Sequence, residues 1–118
     1  MKKPITDPPG CTFDILAMND TLDTLGGKWK LFILHYLITR EDELTTFKKI
    51  ERDLNGISAK VLTKDLKELE ANQLIQREKQ NTKPITVKYS ITEYGKSTKI
   101  IIETLVNWGK IHRDNLIK

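Results

Sequence analysis

The sequence predicts a mainly α-helical domain with one small β-hairpin, and three observations carry that prediction. Apolar residues recur at helical spacing through most of the 118 residues, in runs that stop at glycines or polar connectors. Between Leu74 and Ile91 the period changes to two: Val87, Tyr89 and Ile91 alternate with Thr86, Lys88 and Ser90, behind the turn Asn81-Thr82-Lys83-Pro84. Directly in front of that hairpin, Leu44–Asn72 reads as two short amphipathic helices joined by a tight turn.

Residues 1–12 are rich in Pro and Lys and are expected to form a flexible arm, leaving 13–118 as a single domain. Phe13–Leu25 places Ile15, Leu16, Met18, Leu22 and Leu25 at helical spacing and stops at Gly26-Gly27. Lys28–Thr39 is the strongest helix, with Trp29, Phe32, Ile33, Tyr36 and Leu37 expected on one face. Arg40–Glu43 is a polar connector. The helix-turn-helix spans about 45–72. Thr45 or Thr46 caps its first helix, and Phe47, Ile50 and Leu54 face inward.

Asn55-Gly56 ends that first helix, because glycine takes the left-handed conformation beyond a helix C-terminus without a Cβ penalty. Ser58 caps the second, and Ile57 and Leu62 are spaced as a hydrophobic staple across its start. Leu62, Leu66 and Leu69 then make one apolar stripe, while Lys60, Lys64 and Lys67 repeat the spacing on the opposite face with Thr63 at its edge. The hairpin, about 74–91, follows at once, and Thr92 caps a last helix over about 93–115. Helices, a helix-turn-helix, a hairpin and a closing helix in this order describe a winged helix-turn-helix domain.

Composition narrows the function classes. Hydrophobic residues make up 38% and charged residues 31%, which fits a soluble globular chain able to bury a core without disulfides. The net charge is only +4, so any affinity for a polyanion depends on where the charge sits. Arg77–Lys88 concentrates it, setting Arg77, Lys79, Lys83 and Lys88 against Glu78 alone. The apolar runs are too short to span a membrane, and no apolar segment follows the charged N-terminus as a signal peptide requires. A reducing cytoplasm is the expected location. The single cysteine, Cys11, excludes an internal disulfide and a cysteine-cluster zinc site, and His35 and His112 stand apart with no ligand pattern. No metal or cofactor is expected. With no Gly-rich phosphate loop, no nucleophile beside a base and no convincing carboxylate pair, an enzyme is not expected either.

Several segments resemble the HxlR-type bacterial transcriptional regulators. They are Gly26–Leu34 (GGKWKLFIL), Gly56–Glu70 (GISAKVLTKDLKELE), Val87–Thr92 (VKYSIT) followed by Glu93-Tyr94-Gly95, and Asn107–Arg113 (NWGKIHR), in the family's order and spacing. The resemblance implies a homodimeric winged helix that binds duplex DNA at dyad-symmetric operators, often near its own gene. Three departures stand out. Thr46-Phe47 replaces an Arg-Phe pair often found at the start of the helix-turn-helix, and Gln73 replaces a glycine usual before the first wing strand. The third concerns the Cys-Pro dipeptide that members often carry near Gly-Gly-Lys-Trp: Cys11 lies farther upstream and is followed by Thr12, so thiol redox sensing is not carried over. Cys11 stays a candidate redox thiol only where a neighbouring charge lowers its pKa.

In a helix-turn-helix the N-terminal part of the second helix enters the major groove and reads base edges. Ser58, Lys60, Thr63 and Lys64 occupy that part and are the candidate reading residues, with Lys67 farther along toward backbone or solvent. Thr46, Lys48 and Lys49 on the preceding helix, with Lys79, Lys83 and Lys88 on the wing, are candidate phosphate contacts. The last helix is apolar over too wide an arc for one protomer: Ile101, Leu105 and Trp108 form a stripe, and Ile100, Ile102, Val106 and Ile111 extend beyond it. A dimer interface is therefore expected from Ile102, Leu105, Val106 and Trp108, against Ile15, Leu16 and Leu22 of the first helix. The expected partners are duplex DNA and a second copy of the chain, with no membrane and any small-molecule effector left open. The alternative is a winged-helix protein–protein adaptor, which predicts that alanine is tolerated at Lys60 and Lys64.

Overall fold

The computed structural model describes residues 9–117, with side chains from Thr12 onward; residues 1–8 of the expected arm and the Cys11 thiol lie outside them. Helix α1 spans Pro9–Leu25, so residues 9–12 are helical and not part of an arm. Proline suits a first helical position, because its φ is already helical and its missing N–H would have had no intrahelical partner. Gly26 and Gly27 end α1. A side chain at Gly26 would meet the Leu22 carbonyl oxygen at 2.2 Å, and Gly27 takes φ +81°.

Helix α2, Trp29–Ile38, is the centre of the core. Its inward face differs from the expected one: Lys30, Ile33, Leu34, Tyr36 and Leu37 are buried, whereas Phe32 is 47% exposed and Trp29 is only half-buried. WKLFILHYLI is apolar almost all the way round, so its period fixes a helix but not which side turns inward. Contacts distant in sequence lie on the buried side: Ile33, Leu34 and Leu37 enter the shared core, and Lys30 forms an ion pair with Glu68 of the helix packed beside it.

Helix α3 is Phe47–Asp53 and α4 is Ala59–Ala71. The caps are those the sequence predicts. Thr46 Oγ1 accepts from the Lys49 N–H at 3.3 Å, and Ser58 Oγ accepts from the Val61 N–H at 3.1 Å. Gly56 turns the chain between them at φ +99°. The far end of α4 closes in a Schellman motif: the Leu74 N–H reaches the Leu69 carbonyl at 3.0 Å and the Gln73 N–H the Glu70 carbonyl at 2.9 Å. Gln73 holds φ +64° there, which explains why glycine is usual at this position.

Strands β1 (Ile75–Gln80) and β2 (Thr86–Ile91) pair antiparallel, Ile75 opposite Ile91 and Gln80 opposite Thr86. The hairpin is tied to the helix-turn-helix by the Tyr89 N–H, which donates to the Thr45 carbonyl at 2.8 Å. Thr92 does act as a cap, accepting from the Gly95 N–H at 2.8 Å, but the turn it caps is a 3-10 helix, Gly95–Thr98. The last helix, α5, therefore begins at Lys99 and runs to Ile117, later than the expected start near 93. Only glycine fits at position 95, because a Cβ there would meet the Leu74 carbonyl oxygen at 2.0 Å.

Residues from α2, α4 and the hairpin form one core, joined by Ile50, Ile57 and Ile102. Only Ile102 of α5 is buried in it. This is a mainly helical winged helix-turn-helix with a two-stranded wing.

Candidate nucleic-acid interface

Helix α4 separates its residues cleanly. Leu62 and Leu69 are fully buried and Leu66 nearly so, and at about 1.5–3 kcal/mol for each such side chain this face anchors the helix. Ser58, Lys60, Thr63, Lys64 and Lys67 are all exposed on the other side. The Thr63 hydroxyl donates to the Ala59 carbonyl at 2.8 Å, so its oxygen remains free to accept.

Charge on α4 is set by a neighbour on α2. Lys30 holds one carboxylate oxygen of Glu68 and keeps that acid below the usual carboxylate range, while Lys64 stands 4.0 Å from the other oxygen. Asp65, buried on the same side of α4, is pushed the other way by desolvation, with Lys30 opposing the rise. Glu68 is thus held by Lys30 on α2, with the exposed Lys64 at the edge of ion-pair distance. Lys60 and Lys67 have no carboxylate within ion-pair distance among the described residues.

The expected phosphate contacts fall into two groups. Thr46 is committed to its capping role and Lys49 to Glu43 at 2.8 Å, so Lys49 does not project freely as its sequence position suggests. Lys48 is exposed, with Glu51 3.7 Å away. On the wing, register decides the face. Ile75, Arg77 and Lys79 point to the same side as Ile91, Tyr89 and Val87, toward the helices. Lys88 lies on the outer side opposite Glu78, and Lys83 sits in the turn. The wing cations are therefore divided between both faces of the hairpin and its tip.

Sequence reasoning left one residue out of its site. Arg77 projects from the inner face of β1 to a cleft of 360 Å³ between the wing and α4, whose lining it shares with Phe47, Thr63, Lys67 and Tyr89. Strand alternation alone contained the signal, once Ile75 was taken as the inward residue.

The expected interface residues lie at the other end of the molecule. Leu16, Leu22, Leu105, Val106 and Trp108 are exposed and Ile15 is half-buried, whereas Ile102 is enclosed by the protomer's own core. Trp108 stacks on His112 with ring centroids 4.9 Å apart. Among the described residues no helix is long and apolar enough to cross a membrane.

Comparison with known proteins agrees with this architecture. The family model described as HxlR-like helix-turn-helix matches residues 24–116. The chain is 34% identical over 106 residues to the uncharacterized HTH-type transcriptional regulator YdeP of Bacillus subtilis (strain 168), which covers 90% of this chain and 80% of YdeP. It is 38% identical over 95 residues to an uncharacterized HTH-type transcriptional regulator of Halalkalibacterium halodurans, covering 80% of this chain and 82% of that protein. Among solved structures, the redox regulator HypR in its reduced form superposes with a TM-score of 0.74 at 35% identity, over 85% of this chain and 96% of HypR.

Proposed function

We propose that this chain, which belongs to the HxlR-like helix-turn-helix family, is a DNA-binding transcriptional regulator that works in the cytoplasm as a homodimer on dyad-symmetric operators. The observation that carries the reading is the division of α4. Its leucines are spent on the core, and what remains outside is a polar, cationic surface of the right size for the major groove. In this proposal Ser58, Lys60, Thr63 and Lys64 read base edges, while Lys48, Lys79 and Lys83 neutralise phosphates.

Support for the dimer comes from apolar surface that one protomer leaves unused. Phe13, Met18 and Leu22 of α1 and Ile100, Trp108 and Ile111 of α5 are each more than 60% exposed. The radius of gyration is 17.2 Å, against about 13.5 Å for a compact chain of this length, as expected if α1 and α5 project to meet a second copy. A two-fold dimer sets two reading helices about one DNA turn apart, and operator symmetry follows from that.

The test is in vitro selection of the purified full chain against a random duplex library. Enrichment of a dyad-symmetric motif is the expected result. Absence of any enriched motif at low salt, with the protein folded and dimeric, would favour the adaptor.

A further inference from the structure

The cleft between the wing and α4 is built of different chemistry from the reading face beside it. Phe47 and Tyr89 contribute aromatic walls, and Thr63, Lys67 and Arg77 bring a hydroxyl and two cations to its rim. Glu70, three residues beyond Lys67 on the same helix, contributes a single carboxylate. Arg77, Lys67 and Glu70 form no ion pair among the described residues, so the site holds two cations and one anion that do not neutralise each other in direct contact. The cations come from two elements whose relative position is fixed by the buried pair Ile75–Ile91 and by the Schellman turn that joins α4 to β1.

We propose that this cleft seats one backbone phosphate of the DNA strand that passes between α4 and the wing, and that Glu70 is a built-in competitor for its cations. The inference rests on the DNA-binding reading given above. Distance favours phosphate over base. Lys67 lies nine residues beyond Ser58, about 13.5 Å along the helix and away from the N-terminal part that reads base edges. Arg77 supplies the planar donor fork that matches two phosphate oxygens, and Lys67 adds a point charge. A phosphate entering the cleft must share these cations with Glu70, and the repulsion weakens binding without regard to base sequence. Glu70 thus tunes affinity downward, which quickens release from DNA.

The experiment measures binding of the full chain to its selected duplex and to an unrelated duplex, each over a series of salt concentrations. Arg77→Ala is expected to weaken both by about tenfold and to make the salt dependence shallower by about one counterion. Arg77→Lys, which keeps the charge but loses the fork, should fall between. Glu70→Gln should tighten both duplexes several-fold. Arg77 and Glu70 are exposed, so melting temperatures should not move. An Arg77→Ala protein with unchanged affinity and slope overturns the phosphate seat, as does one that loses discrimination at a single base position. A Glu70→Gln protein that binds no tighter overturns the competitor role. Failure of the parent chain to bind any duplex would instead sink the regulator reading itself.

Discussion

Helices α4 and α5 are both amphipathic, yet one is finished within the protomer and the other is not. Every leucine of α4's apolar stripe is inside, and its outward side carries Lys60, Thr63, Lys64 and Lys67 beyond the Ser58 cap, with Glu70 near its far end. Helix α5 buries Ile102 alone and leaves Ile100, Leu105, Val106, Trp108 and Ile111 in solvent. The contrast separates two uses of the same pattern. An apolar stripe that is fully covered frees the opposite face for recognition. A stripe left open is surface that another molecule can cover, and in the proposed reading that molecule is a second copy of the chain.

The comparison is broken most forcefully by removing apolar atoms from the finished helix. Leu69→Ala should destabilise the protomer by about 3 kcal/mol, since the side chain is fully enclosed and a cavity would remain. Urea unfolding at fixed protein concentration reads this. Next in size, Lys60→Ala combined with Lys64→Ala should leave the unfolding curve in place and cut operator affinity by about a hundredfold, seen by fluorescence anisotropy. Retained affinity in that double variant would move the reading surface away from α4.

A smaller effect tests how the scaffold holds α3 against α2. The Tyr36 hydroxyl donates to Asp53 at 2.5 Å, and Arg40 lies over the ring at 4.0 Å. Burial first, and then the Asp53 carboxylate, raise the Tyr36 pKa from 10.0 to about 12. The folded state therefore favours the protonated phenol. Its stabilisation is complete below about pH 10 and is lost as pH rises toward 12. Tyr36→Phe should cost about 1 kcal/mol at neutral pH and should flatten that alkaline decline in a pH series of melting curves. The smallest expected change is a gain: Gln73→Gly relieves the positive φ and should stabilise the chain by roughly 0.5–1 kcal/mol. A loss of stability there would mean that the Gln73 side chain contributes more than its backbone costs.

Much of this was legible in the residues because it is decided locally. Ser58, Thr46 and Gly56 act within four residues of themselves, and the 2-period of Val87–Ile91 needs only its own turn. What was not legible depends on groups far apart in sequence. Nothing near Lys30 announces that it will be buried, because its partner Glu68 is 38 positions away. The same holds for the close approach of Gly95 to the Leu74 carbonyl, which leaves no room for a side chain, and for Lys49, which is taken up by Glu43. Arg77 was within reach but needed the hairpin register to show which way it faces.

The unfinished state of α5 is the claim on which the rest depends, and sedimentation of the parent chain beside a Leu105→Glu, Trp108→Glu variant tests it directly. The account predicts a dimeric parent and a monomeric variant whose circular dichroism matches that of the parent. A monomeric parent, or a variant that stays dimeric, would contradict it. So would a variant that unfolds instead of dissociating, because Leu105 and Trp108 would then belong to the protomer's own core.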